Sequence, residues 1–301
     1  MIIKILGSAA GGGFPQWNCN CSNCRDVRLG HGDLRPRTQS SLAVSADGTR
    51  WVLLNASPDL RQQILATPEL TPGRDQLRDS PICAVVLTNG DVDHLAGLIC
   101  LREGHSFQVF GTERVLGALA ANSMFGVLNP NAVPRNRLTL GRPVEVGGLQ
   151  VEAFAVPGKV ALYLEDASAG PGFGSAEGDT IGLSVTHNRK RFLYIPGCAG
   201  IDAALAARLT DTALVFFDGT LYEDDEMIRL GLSQKSGRRM GHMSMAGAAG
   251  SLEQLAKFGI ARKIFVHMNN SNPALRETSS EHAAVRAAGW EIGFDGMEVR
   301  L

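Results

Sequence analysis

The apolar run Ile82 to Leu87 leads into Thr88-Asn89-Gly90-Asp91-Val92-Asp93-His94, so acid and imidazole side chains follow what reads as the end of a strand. A strand end fixes one backbone position, and the turn after it can aim several short side chains at one point; the pattern reads as half of a metal site. Asp93 and His94 are adjacent, so only a turn converges them. Imidazole suits zinc and iron alike, whereas carboxylate pulls the preference toward harder ions, and the pair leaves the metal open. The same residues also suit an Asn-Gly-Asp turn, with His94 filling space ahead of a helix from Leu95. Lys263-Ile264-Phe265-Val266-His267 is a second β-branched and aromatic run that delivers an imidazole at its carboxyl end, which makes His267 the third candidate ligand. Arg239-Met240-Gly241-His242-Met243-Ser244 is rich in glycine and charge and puts His242 on a loop, where it can act as an acid or base. Cys19, Cys21 and Cys24 pack three thiols into six residues, while Cys83, Cys100 and Cys198 are scattered. Three close thiols suit zinc, whose structural sites want a fourth ligand that this segment does not supply.

These groups must be positioned by a frame in which strands outnumber helices. Strands are predicted near 1–6, 40–46, 50–55, 82–88, 107–111, 149–156, 181–186, 191–195, 213–218, 263–267, 291–294 and 297–301. Helices are predicted near 58–66, 94–103, 112–123, 201–208, 245–258 and 278–288. The alternation points to an α/β chain. A length of 301 residues with 44% hydrophobic composition allows a large buried core, and one domain over 1–301 is expected. A net charge of −1 gives no reason to expect nucleic acid or an anionic membrane as partner. No apolar run approaches the eighteen or so residues that span a bilayer, and Met1 to Leu6 reads as a strand and not a signal peptide. Cytoplasmic location and reduced cysteines are therefore expected. Gly7 to Gly13 is not followed by Gly-Lys-Ser/Thr and reads as a crowded backbone loop, and Asp166 to Asp179 reads as a surface loop between strands.

Several motifs then point one way: the early glycine loop, Phe14-Pro15-Gln16-Trp17-Asn18-Cys19-Asn20-Cys21, Asn55-Ala56-Ser57-Pro58-Asp59, Thr88 to His94, Gly241-His242-Met243-Ser244 and Gly293-Phe294-Asp295-Gly296-Met297. From end to end the chain resembles the PqqB family of pyrroloquinoline quinone biosynthesis, within the metallo-β-lactamase superfamily. The resemblance implies a metallo-β-lactamase fold, a four-layer αββα sandwich with two mixed β-sheets. Against phosphodiesterases of that fold the departures are losses of ligands. Asn89 and Asp91 stand in two histidine places, no histidine occurs around Pro157-Gly158-Lys159, and Gly197 falls where the metal-bridging aspartate belongs. Without that bridge a two-metal hydrolytic site is not expected. What remains, Asp93, His94 and His267, has the composition of the two-histidine, one-carboxylate set of non-haem Fe(II) oxygenases.

The resemblance therefore implies an enzyme that uses Fe(II) and O2 to hydroxylate the tyrosine-derived ring of a cross-linked glutamate–tyrosine precursor. In that reading Asp91 supplements the metal shell and His242 moves protons. Because such substrates are rich in carboxylates, Lys159, Lys235, Arg238 and Arg239 are candidate anion-binding groups. The Cys19, Cys21 and Cys24 cluster becomes a structural Zn(II) site, with Asn270 standing where the related phosphodiesterases have their fourth ligand, a histidine. Two alternatives stay open: a carrier that takes the finished quinone or its precursor toward the periplasm, and a mononuclear metal-dependent hydrolase. Assembly into a homo-oligomer is also left open.

Overall fold

The computed structural model describes residues 1–73, 77–170 and 172–301; Pro171, within the predicted loop 166–179, lies outside the described residues. In chain order the strands are β1 (Ile2–Gly7), β2 (Ser41–Ser45), β3 (Trp51–Leu54), β4 (Ile82–Val86), β5 (Gln108–Gly111), β6 (Arg135–Arg137) and β7 (Val144–Val146). They continue with β8 (Leu149–Ala155), β9 (Ile181–His187), β10 (Lys190–Ile195), β11 (Leu214–Asp218), β12 (Arg262–Val266), β13 (Trp290–Ile292) and β14 (Glu298–Arg300). The helices are α1 (Ser22–Arg28), α2 (Leu60–Ala66), α3 (Val92–Leu95), α4 (Glu113–Ala121), α5 (Ala203–Leu209), α6 (Glu226–Arg229), α7 (Gly237–Met240), α8 (Ser251–Gln254) and α9 (Ser280–Ala287).

Two seven-stranded sheets form, in the orders β14-β1-β2-β3-β4-β5-β6 and β13-β12-β11-β10-β9-β8-β7. Each is antiparallel in one half and parallel in the other, with β3 to β6 parallel in the first and β10 to β13 parallel in the second. Ile3, Leu42, Val52 and Val86 of the first sheet pack against Val151, Phe192, Phe216 and Ile264 of the second in one buried cluster. On the outer face of the first sheet, Trp51, Leu53 and Val85 meet Leu60, Leu95 and Val115 from the helical side. On the outer face of the second, Leu193, Phe217 and Phe265 meet Leu205, Leu255 and Val285. The result is the αββα order that the family resemblance implies. Strands buried on both faces need continuous apolar sequence, which is why Trp51–Leu54 and Leu214–Phe217 do not alternate.

Both sheets turn the carboxyl ends of their parallel strands to one rim, the usual place for a site in such sheets. Isolated bridges stitch the rim: Ala9 pairs with Met268, and Asn89 with Thr180. The helix predicted over 245–258 is much shorter. The backbone of Met243 to Ala246 pairs with Cys198, Leu221 and Tyr222, so it cannot also make helical bonds, and α8 begins only at Ser251. The helix predicted over 94–103 divides into α3 and a tighter 3₁₀ segment, Ala96–Leu101. Its close fit against Ser57 requires Gly97, where a Cβ would fall on the Ser57 carbonyl. Helix α1 and strands β6 and β7 were not predicted; their segments are short and lack a clear apolar period.

Candidate metal centre

Strand β4 delivers Thr88 to His94 to the rim, and α3 carries Asp93 and His94 in a single turn. The turn is fixed from the neighbouring loop: the Ala56 N–H donates to the His94 carbonyl at 2.7 Å, and Asn55 brackets Thr88 through its N–H and hydroxyl. Strand β12 delivers His267, which adopts φ +59°. A left-handed conformation costs a non-glycine residue roughly 1–2 kcal/mol. Thr220, two residues beyond β11, packs against it, its hydroxyl oxygen lying 3.0 Å from the His267 carbonyl and 2.8 Å from its Nδ1.

One ligand atom from each of Asp93, His94 and His267 lies within 4.8 Å of the others. The remaining ring nitrogens set the tautomers. Asn89 Oδ1, an acceptor, lies 2.8 Å from His94 Nδ1, so that nitrogen carries the proton and Nε2 is left with its lone pair. His94 Nε2 is buried and has no hydrogen-bond partner. At His267, the Thr220 hydroxyl donates to Asp218 Oδ1 at 2.6 Å and so accepts from Nδ1, while Nε2 lies 3.0 Å from Asp93 Oδ2 and donates to it when protonated; a cation that replaces this proton meets the Nε2 lone pair. Burial would raise the Asp93 carboxyl, but the neighbouring His94 ring and the hydrogen bond to His267 hold it well below the usual range. Burial lowers His94 to about 4. Burial also opposes charge on His267, yet its bond to Asp93 raises it. An anionic carboxylate beside two imidazole Nε2 atoms, that of His94 an orphaned lone pair and that of His267 hydrogen-bonded to the carboxylate, is a donor set that fits a divalent cation.

Asp91 stands outside this tight group. It accepts the Leu162 N–H at 3.3 Å, and burial together with the Asp93 charge raises its carboxyl. His242 follows α7 on a loop, as the sequence predicts, after Gly241 at φ +89°. Its ring stacks on that of His267 with centroids 5.2 Å apart.

Asp218, at the end of β11, was missed by the sequence reading. Asp218, His242 and His267 form a second close group. An aspartate therefore does stand in the site although Gly197 does not supply one, but its oxygens are taken. Oδ2 is bonded to His242 Nδ1 at 2.7 Å and accepts the Cys198 N–H; Oδ1 accepts the Thr220 N–H and hydroxyl. A carboxylate saturated in this way orients His242 and leaves its Nε2 to the site. The apolar run Leu-Val-Phe-Phe ending in Asp-Gly-Thr was the available signal.

Of the four candidate anion-binding groups, Lys159 and Arg239 are paired already. Arg239 makes two bonds to Glu165, 3.1 and 2.8 Å, and Lys159 Nζ lies 3.4 Å from the same carboxylate. In this structure an internal carboxylate, Glu165, holds both of them. Arg238 lines an open groove of about 760 Å³ with Ala199, Glu223, Asp224 and Met243, and none of Asp93, His94 or His267 lines that groove. Neither Arg238 nor Lys235 bonds to the three-ligand group among the described residues.

Cys19, Cys21 and Cys24 are free thiols gathered at the start of α1. Asn270 Nδ2 lies 3.1, 3.7 and 3.3 Å from their sulfurs, and Asn23 ties the loop to the carbonyls of Asn270 and Asn272. Burial raises Cys24 to about 12, whereas hydrogen bonds from its neighbours overcome burial and lower Cys19. His267 and Asn270 are three residues apart, so one turn serves both clusters.

The Beta-lactamase superfamily domain model matches residues 50–268. Coenzyme PQQ synthesis protein B of Xanthomonas oryzae pv. oryzae is 53% identical, and that of Methylorubrum extorquens 52% identical, each over 100% of both chains. The solved structure of Zn(2+)-bound PqqB from Methylobacterium extorquens matches with a TM-score of 0.96 at 51% identity, covering 100% of both chains. A diphosphatase of the PhnP family shares the fold, with a TM-score of 0.69 at 19% identity over 100% of this chain and 97% of its own.

Proposed function

Because the chain belongs to the coenzyme PQQ synthesis protein B family of the metallo-β-lactamase superfamily, we propose that it serves PQQ synthesis as an iron(II)- and O2-dependent hydroxylase. Its substrate in this reading is the tyrosine-derived ring of a cross-linked glutamate–tyrosine precursor. The observation that carries the reading is the ligand set: one carboxylate and two imidazoles whose outer partners, Asn89 and Thr220, engage Nδ1 and leave both Nε2 atoms at one point. Asp93, His94 and His267 would hold the ion. Fe(II) on such a set supplies valence change and open positions for O2 and substrate, which redox-silent zinc does not.

The protein's own groups divide the remaining work. Asp218 keeps the His242 Nδ1 proton in place, so Nε2 is the atom that takes a proton from the phenol and returns it. Asp91 adds negative charge beside Asp93. The segment around Leu162 and Tyr163, bonded to Asp91 and Gly90, restricts water at the mouth. Inserting one oxygen atom from O2 into a ring C–H bond leaves the second to become water, which requires two electrons and two protons from an external reductant such as ascorbate.

The test is to load metal-free protein anaerobically with Fe(II) or Zn(II), add O2, ascorbate and a cross-linked glutamate–tyrosine substrate, and follow product mass. The expected result is a gain of oxygen with Fe(II) alone, lost in His267→Ala. Bound iron and bound substrate without oxygen gain would overturn the reading. The solved relative is Zn(2+)-bound, and zinc at the same three residues would give a second reading, a mononuclear zinc hydrolase. Bond cleavage by the Zn(II) form without O2 would select it.

A further inference from the structure

The segment from Lys159 to Glu165 crosses between the two loops that bear the candidate site residues. On one side Leu162 N–H donates to Asp91 Oδ1 at 3.3 Å and the Tyr163 hydroxyl to the Gly90 carbonyl at 3.0 Å. On the other, Glu165 binds Arg239 through both oxygens, and Arg239 lies three residues before His242. Lys159 packs beside Gly241, where a Cβ would stand 3.0 Å from its Cγ, and its Nζ closes on Glu165 at 3.4 Å. The Arg239 guanidinium carbon also lies over Phe173, 3.7 Å from the ring centre.

Buried Val160 and Ala161 anchor the start of the crossing segment, and the part beyond them has little else to hold it. Leu162, Tyr163 and Leu164 are 57%, 45% and 42% exposed, and only a three-residue 3₁₀ turn forms there. A segment held by polar contacts with few buried apolar ones opens at low free energy. Its main clamp is a carboxylate in a guanidinium fork braced by an ammonium, and any carboxylate of the same planar geometry competes for that place.

We propose that Lys159 and Arg239 form the docking site for a carboxylate of an amino-acid-derived substrate, and that Glu165 is the internal carboxylate that such a ligand displaces. Displacement exchanges one ion pair for an equivalent one, which keeps the exchange nearly balanced, and it frees the segment over the mouth at the moment an anionic ligand arrives. The choice of ligand class rests on the proposed function; the exchange of carboxylates rests on the geometry.

Binding of pyrroloquinoline quinone, which carries three carboxylates, and of its uncharged trimethyl ester is to be measured by fluorescence. The Zn(II)-loaded protein is used without O2, as parent, Glu165→Gln and Arg239→Gln. Removing the internal competitor should tighten quinone binding by about tenfold in Glu165→Gln, because the competent state is no longer taxed by self-occupancy. Arg239→Gln should weaken it, added salt should weaken it in the parent, and the ester should not distinguish the three proteins. Quinone should also expose the 162–170 segment of the parent to protease, as Glu165→Gln does unliganded. Quinone binding that is no tighter in Glu165→Gln than in the parent overturns the proposal, and this arm decides alone if Arg239→Gln does not fold. No oxygen is consumed, so a failed hydroxylation leaves a tightened variant standing, whereas hydroxylation with no tightening overturns the docking site alone.

Discussion

Asn89 Oδ1 lies 2.8 Å from Nδ1 of His94, so Asn89 fixes the tautomer of that histidine. Replacing an outer partner of a metal-bound histidine typically lowers metal affinity by about 10–100-fold. Asn89→Leu should show a loss of that size for Fe(II) and Zn(II) in chelator competition, with the fold retained by circular dichroism. Unchanged affinity would mean that Asn89 does not set the ring.

Thr220 serves both clusters, accepting from His267 Nδ1 while donating to Asp218. Thr220→Val should lower metal affinity at the three-ligand group by about tenfold and Thr220→Ser should restore it, since only the hydroxyl is required.

Asp218→Asn should act differently, because the Asp218 oxygens are filled by protein donors and not directed at a cation. Product formation should fall by about a hundredfold, the scale of a lost acid–base function, with metal content at the active site unchanged. Parallel loss of one metal equivalent would show that Asp218 is a ligand after all.

The cysteine cluster gives a test by gain as well as loss. Cys21→Ser should lower zinc content and thermal stability together, since binding of a structural metal is also folding free energy. Asn270 lies within 3.7 Å of all three sulfurs, and Asn270→His should slow zinc loss to a chelator by offering a ligand that zinc prefers to an amide. Faster loss would mean that the amide is needed for its hydrogen bonds to the thiolates.

Glu165 is held at about 2 against an ordinary 4.5, chiefly by its bond to Arg239. A carboxyl with a depressed folded value stabilises fully above its unfolded value and loses that contribution as the pH falls toward the folded one. The pair is partly open to solvent, so its share is small, about a degree or two in Tm. That excess of the parent over Glu165→Gln should be present near pH 6 and at most half as large near pH 3, measured by calorimetry. A constant difference would place the stabilisation in packing and not in charge.

Much of this was legible along the chain because it depends on local order. Apolar runs buried on both faces wrote the strands, and Asp93, His94 and His267 were visible because each follows the end of such a run. The three thiols were visible because they sit within six residues. The helix predicted over 245–258 failed because backbone pairing with residues more than twenty positions away outbid alanine propensity. Asp218 and Thr220 passed unnoticed because an aspartate after a strand resembles any turn; only the fold sets their partners, His242 and His267, beside them. The sequence by itself thus determined the layers and the donor types. Tertiary structure decided which nitrogen each histidine offers and which charges are already paired, because tautomer and ion pairing depend on atoms a few ångströms apart in space and, for His267 and Asp93, 174 residues apart in the chain.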